Sequence, residues 1–345
     1  MKDFFNKLLT GMSIGIVVAL IPNALIGELL KLIIPTFPVL QNVLNATVIV
    51  MSMLPVLIGI TIGMSFKLTP IQTASIGLAA VLGSGVISFT DEGTMVIAGI
   101  GVVLNTGITA ALAVWFVQKI GTKLKGYTIL LMPTLTVLIP GMIGYMILPF
   151  VRSGTNYVGD GIAYITGLQP ILMGMLLAVI FCLLILSPLS TVGVATVVSL
   201  SGIASGAANL GIVAAGTGLF LASLHANSVG TALAHVLGSP KIQMRNFFMK
   251  PKMVTPMLIT AAILGALAGL LNIQGTPMSA GFGLSGLVGP LNHMNLVEGG
   301  WSVQNTLIML LTFFAVPFSL NYVLIKLFTK KVKLIQPADY KIDIH

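Results

Sequence analysis

Nearly every charge-free stretch of this chain is also apolar, and such stretches recur at the length a lipid bilayer demands. Runs long enough to span, or nearly so, lie at about residues 9 to 34, 44 to 66, 71 to 89, 95 to 118, 127 to 150, 168 to 186, 189 to 208, 210 to 237, 253 to 273 and 303 to 327. A spanning helix takes about 20 residues. The run at 278 to 291 is too short to cross comfortably. Charged residues make up 7% of the chain, hydrophobic ones 56%, and mean hydropathy is +1.06, so a soluble fold would lack the polar surface to cover itself. In 345 residues the runs leave no room for a soluble catalytic domain. The expectation is an all-α polytopic membrane protein of about ten transmembrane helices, with at least one re-entrant segment and internal repeats.

A net charge of +9 on this chain reads as membrane topology and not as affinity for nucleic acid, because the basic residues sit in short links and near the two ends. With a cytoplasmic N-terminus, all of the 17 basic residues except Lys31 and Arg152 fall on the cytoplasmic side, and Asp91, Glu92 and Asp160 fall outside. Lys326, Lys330, Lys331 and Lys333 obey the rule only if the 278 to 291 run does not cross, which makes that run re-entrant and both termini cytoplasmic. Residues 1 to 7 lead into an apolar stretch with no convincing cleavage site, so that stretch is read as the first helix. The single cysteine, Cys182, lies inside an apolar run, where burial raises a thiol's pKa and argues against a nucleophilic role.

A layout recurs along the chain. Leu68-Thr69-Pro70-Ile71, Leu186-Ser187-Pro188-Leu189 and Gly275-Thr276-Pro277-Met278 each follow an apolar run and precede one rich in small residues. Asn105-Thr106-Gly107 lies about as far beyond Pro70 as Asn227-Ser228-Val229-Gly230 lies beyond Pro188. Small-residue repeats pack helices tightly, and broken helices meeting near mid-membrane also build transporter sites.

Few polar residues interrupt the apolar runs, and ionisable groups at membrane depth tend to mark pathways. His225, Asn227 and His235 form one candidate cluster. Ten residues on an unbroken helix separate the two histidines by about 15 Å, too far to share a metal. Asn292, His293, Asn295 and Glu298 form a second cluster, whose imidazole, amides and carboxylate suit a polyhydroxylated ligand. Asn105 is a candidate to face the same cavity as Asn227. Thr90-Asp91-Glu92-Gly93 reads as an outer loop. Phosphate-cradling, dinucleotide, zinc-protease and nucleophile-elbow motifs are absent, so neither a cofactor nor a self-contained catalytic site is expected.

Residues 202 to 212, Gly230-Thr231-Ala232-Leu233-Ala234-His235, Leu237-Gly238-Ser239-Pro240-Lys241 and Gln274-Gly275-Thr276-Pro277 resemble the membrane subunit, component IIC, of bacterial sugar phosphotransferase systems. More narrowly, they resemble the branch that includes the perfringolysin regulatory protein. The resemblance implies one membrane domain over residues 1 to 345, with loose repeats at about 44 to 125, 168 to 245 and 253 to 330. It implies a homodimer in the bacterial inner membrane, carrying a sugar for phosphorylation by IIB and IIA proteins in trans. It also implies a membrane histidine, here His225 or His235, and a later glutamate, here Glu298, acting on the sugar hydroxyl. Asn105, Asn227, His293 and Asn295 are the further candidate sugar ligands, with Glu298 as general base. A non-phosphorylating solute transporter and a membrane sensor or regulator of gene expression are the alternatives.

Overall fold

Glycine, proline and the hydroxyl caps decide where the apolar runs become helix and where they stop. The structure, a computed structural model, describes residues 2 to 342 apart from Asp91, Ala98 and Thr122. It divides into two units, Met1–Gly154 and Thr155–His345.

The first unit contains α1 (Lys2–Ile33), α2 (Gln41–Ser52), α3 (Leu54–Ser65), α4 (Pro70–Ser84), strands β1 (Ile87–Phe89) and β2 (Met95–Ile97), α5 (Val103–Ile120), α6 (Thr128–Thr136) and the start of α7 (Met142–Thr166). A turn of π-helix, Val137–Gly141, joins α6 to α7. Small residues set the packing: Gly11 and Gly15 of α1 lie against Ile62 and Ile58 of α3, and Gly59 of α3 lies against Gly77 of α4. At Thr69, a capping box with Gln72 starts α4 directly before Pro70. Gly85, with φ +66°, ends it.

The second unit contains α8 (Pro170–Leu184), α9 (Thr191–Val197), α10 (Gly202–Ser223), α11 (Val229–Leu233), α12 (Met244–Met249), α13 (Thr255–Leu270), α14 (Val288–Leu296), α15 (Val303–Leu310) and α16 (Val316–Lys330). Its centre is α10, whose apolar window is 89% buried where the other long spans reach 28–50%. Gly211 meets Ala178 and Ala207 meets Gly174, so α8 and α10 run in the same direction. Met257 meets Gly218 and Gly265 meets Gly174, so α13 runs against both.

Two parallel neighbours need a return path, and residues 185 to 201 supply it. Their irregular backbone is covered: Ser190 caps α9, Thr191 Oγ1 donates to Gly281 O, and the buried Lys241 Nζ donates to Ser187 O at 2.6 Å and Leu189 O at 2.7 Å. Non-helical backbone at membrane depth is tolerated where protein shields it in this way.

The ten spanning helices expected from the apolar runs are not all found among the described residues. Among the described residues six helices are long and apolar enough to cross, or seven if the pair α2 and α3, bent by 48°, is one span. Hydropathy does not register a change of backbone direction. The run at 189 to 208 is cut where Ser199 and Gly202 take φ of +51° and +62°, and the run at 210 to 237 is cut between Ser223 and Val229. Between α4 and α5 the sequence reading has helix, but the chain forms an antiparallel pair, Ile87 opposite Ile97 and Phe89 opposite Met95. Isoleucine, valine and phenylalanine around a Thr90 to Gly93 turn favour strand. The run at 278 to 291 holds turns and the start of α14, whose nine residues are too short to span.

Candidate functional site

Two segments of the second unit climb α10 from opposite ends. The first begins where α13 ends. Gly275 exchanges backbone hydrogen bonds with Gly202, 2.9 and 3.1 Å, and a Cβ at Gly206 would overlap the carbonyl oxygen of Ile273. Ser279 then lies against Asn209, and Gly283 against Ile212. The chain reverses at Ser285 to Leu287 and returns as α14, its legs tied by Gly289 N to Gly283 O, Thr276 Oγ1 to Asn292 Oδ1 at 3.0 Å and Gln274 N to His293 Nδ1 at 3.2 Å. Leu287 holds φ +58° at this tip, a left-handed conformation that costs a bulky residue about 1–2 kcal/mol and persists because the surroundings impose it.

The second segment descends from the other end. Ser228 caps α11, a turn of π-helix covers Ala234–Gly238, and His235 O and Pro240 come to lie beside Gly216. The tips meet where Ser285 Oγ donates to Gly238 O, level with residues 212 to 216, midway along α10. His235, Ser285, Gly216 and Pro240 line a small cavity there.

The imidazole of His235 is fixed in one tautomer. Its Nδ1 lies 2.8 Å from Ala232 O, and because a carbonyl only accepts, Nδ1 carries the proton and Nε2 presents a lone pair. That Nε2 is buried and has no hydrogen-bond partner among the described residues. His293 is the converse: its Nδ1 accepts from Gln274 N, which leaves Nε2–H as a buried donor without a partner among the described residues. The His293 ring stacks on Phe313 at 6.3 Å. Buried polar atoms are nearly always paired, so two orphaned imidazole nitrogens need a reason, and a ligand is one.

The residues singled out from the sequence do not all gather at one place. His225 is exposed in the link after α10, and Asn227 lies beside it. His293, Asn295 and Glu298 lie at the opposite end, reached through the contacts of Gln274 and Gly275 with α10's first turn. The 22 residues of α10 set these ends about 33 Å apart. His235 is the member at the middle. Asn295 and Glu298 are exposed, the former accepting from Trp301 Nε1 at 3.4 Å. Asn227 Nδ2 donates to Ser223 Oγ and Tyr340 O, and its Oδ1 accepts from Ile342 N. In the first unit, the fully buried Asn105 donates from Nδ2 to Gly83 O and Gly144 O, so only Oδ1 is left without a partner among the described residues. Of the loop at Thr90 to Gly93, Asp91 lies outside the described residues.

Asn209 escapes a sequence search for charged or catalytic residues, yet it is the strut of the climbing segment. Fully buried, it donates to Ser279 Oγ at 3.2 Å and accepts from Gly283 N at 3.1 Å. The signal was present: Asn209-Leu210-Gly211-Ile212-Val213-Ala214-Ala215 matches Asn105-Thr106-Gly107-Ile108-Thr109-Ala110-Ala111 at five of seven positions. We expect Asn209→Leu to orphan the Gly283 amide and lower stability by about 1–3 kcal/mol, read as a fall in the thermal unfolding midpoint in detergent.

Residues 6–342 match the family described as Phosphotransferase system, EIIC. The chain belongs to that family. As an EIIC protein it is a multi-pass membrane component of a sugar phosphotransferase system. Comparison with curated proteins and with solved structures found no match.

Proposed function

We propose that this EIIC chain carries a sugar across the bacterial inner membrane and presents it to a phosphorylated IIB partner, itself recharged by IIA. The observation that carries the reading is the meeting of two half-length segments midway along α10, with the unpartnered His235 Nε2 beside the junction. Carriers commonly hold solute where broken helices meet at the midplane. Histidine 235 is the sugar contact in this reading, its lone pair accepting a sugar hydroxyl. When phosphoryl passes from the IIB side chain to the hydroxyl oxygen, the displaced proton goes to Nε2.

The basic residues Lys241, Arg245, Lys250 and Lys252 follow the descending segment, so the end of α10 bearing His225 faces the cytoplasm and the IIB partner. Glu298 and Asn295 then face outward, with His293 buried behind them. We assign this group to sugar capture: the carboxylate and amide are exposed, and Trp301, 58% exposed, offers an apolar face to a sugar ring. Base catalysis by Glu298 is not part of this reading, because it stands at the end of α10 remote from the basic loop. A homodimer, as in the expectation from sequence, is retained.

Vesicles test the proposal. With an external sugar, a phosphoryl donor and the matching IIB, the sugar is expected inside as its phosphate ester, and omission of the donor abolishes accumulation. Accumulation of unmodified sugar driven by a proton or sodium gradient would instead mark a non-phosphorylating carrier.

A further inference from the structure

The descending segment of the second unit is held shut by a piece of chain distant in sequence. We propose that residues 336 to 342 are a strap across the base of the 228 to 241 segment, and that lifting it opens the site midway along α10 to the basic end.

The strap touches both legs of that segment. Tyr340 O accepts from Asn227 Nδ2 on the entering leg and from Gln243 Nε2 on the leaving leg, each at 2.8 Å, so one carbonyl bridges the two. Ile342 N donates to Asn227 Oδ1 at 2.9 Å, which makes the asparagine amide pair with the strap as another strand would. Asn246 Nδ2 donates to Lys341 O at 2.8 Å and to Gln243 Oε1 at 2.7 Å, aligning the second amide.

Side-chain anchors complete it. The Tyr340 ring is 2% exposed and its hydroxyl donates to Met253 O at 2.6 Å. Burial, and after it the Asp339 carboxylate, push the Tyr340 pKa up, so the hydroxyl stays a donor. Lys250 Nζ meets Asp339 Oδ1 at 2.6 Å.

The composition of this contact suits release. One aromatic ring supplies much of its apolar burial, and the remainder is polar bonds that water can replace. A segment with few buried apolar contacts opens locally at low free energy. Asn227 is thereby assigned to gating: both Nδ2 protons and one acceptor position of Oδ1 are taken by Ser223 and the strap. The inference rests on the reading that the 228 to 241 segment gives access to the sugar, but it requires neither sugar nor phosphoryl donor to test.

A thiol reporter reads it. The single native cysteine, Cys182, is buried, so Val236→Cys, at a half-buried position of the cavity lining, places the one accessible thiol where opening raises its exposure. Labelling with a membrane-impermeant maleimide is followed in inside-out and right-side-out vesicles. With Tyr340→Ala the rate is expected to rise about tenfold or more. With Asp339→Lys it should rise about two- to threefold, and the swap Lys250→Asp with Asp339→Lys should return it to within about twofold of the parent. Equal rates in the parent and the strap variants, in both vesicle types, would overturn the strap, and the ion-pair series decides the matter should Tyr340→Ala not fold. Strap-dependent labelling from the side opposite the basic loops would leave the strap standing and overturn the proposed orientation.

Discussion

His235→Ala is expected to lower sugar phosphorylation about 100-fold, the usual scale for losing a positioned proton acceptor, while His225→Ala stays within about twofold of the parent. The contrast comes from placement. His225 is exposed in the link beyond α10, whereas His235 is 1% exposed beside the junction of the two segments, its Nδ1–H committed to Ala232 O and its Nε2 unpartnered. Measuring phosphorylated product at saturating IIB for both variants checks this. Equal losses at the two positions would mean that the sugar contact is not where the segments meet. Thermal midpoints of the two proteins separate lost chemistry from lost fold, since His235→Ala removes both a ring–carbonyl bond and a buried ring.

The second large effect falls on packing. Gly265→Ala is expected to destabilise the second unit by about 3 kcal/mol or more, because the new methyl overlaps backbone rather than a movable side chain. Gly265 and Gly174 face each other where α13 crosses α8, and a Cβ on either would overlap the carbonyl oxygen of the other. One turn further, Gly269 lies against Pro170 O in the same way. Close approach of backbones through small residues is what joins helices when lipid supplies no hydrophobic drive. Gly230→Ala is the matched control, since a methyl there meets nothing within 4 Å. Folded, monodisperse yield in detergent and the unfolding midpoint should fall for the first and hold for the second. If the pair behave alike, the α8–α13 crossing does not support the fold.

The broad outline was legible before any coordinates. Scarcity of charge and the recurrence of 20-residue apolar runs suffice for a helical membrane protein, and the motifs at 202 to 212 and 230 to 245 suffice for the EIIC family. The span count was not legible, because hydropathy is blind to a reversal inside an apolar run: nothing in the apolarity of residues 189 to 208 announces that Ser199 and Gly202 turn the chain. A rule that weights polar residues by ionisability overlooks Asn209, whose neutral amide holds the climbing segment, and overrates His225. The pairing of Asn227 with Tyr340 and Ile342 is equally silent in sequence, since the strap is read through backbone atoms that every residue shares.

Because α8 and α10 point the same way, assembly of the second unit cannot proceed by inserting one closed helical pair after another. During synthesis the link at 185 to 201 emerges before Gly281 and Lys241, the groups that shield its backbone, exist. A nascent chain that stops before Lys241 leaves the carbonyls of Ser187 and Leu189 without this donor, and one that stops before Gly281 leaves Thr191 Oγ1 without its acceptor, so the link is fully covered only once the later half of the unit has been made.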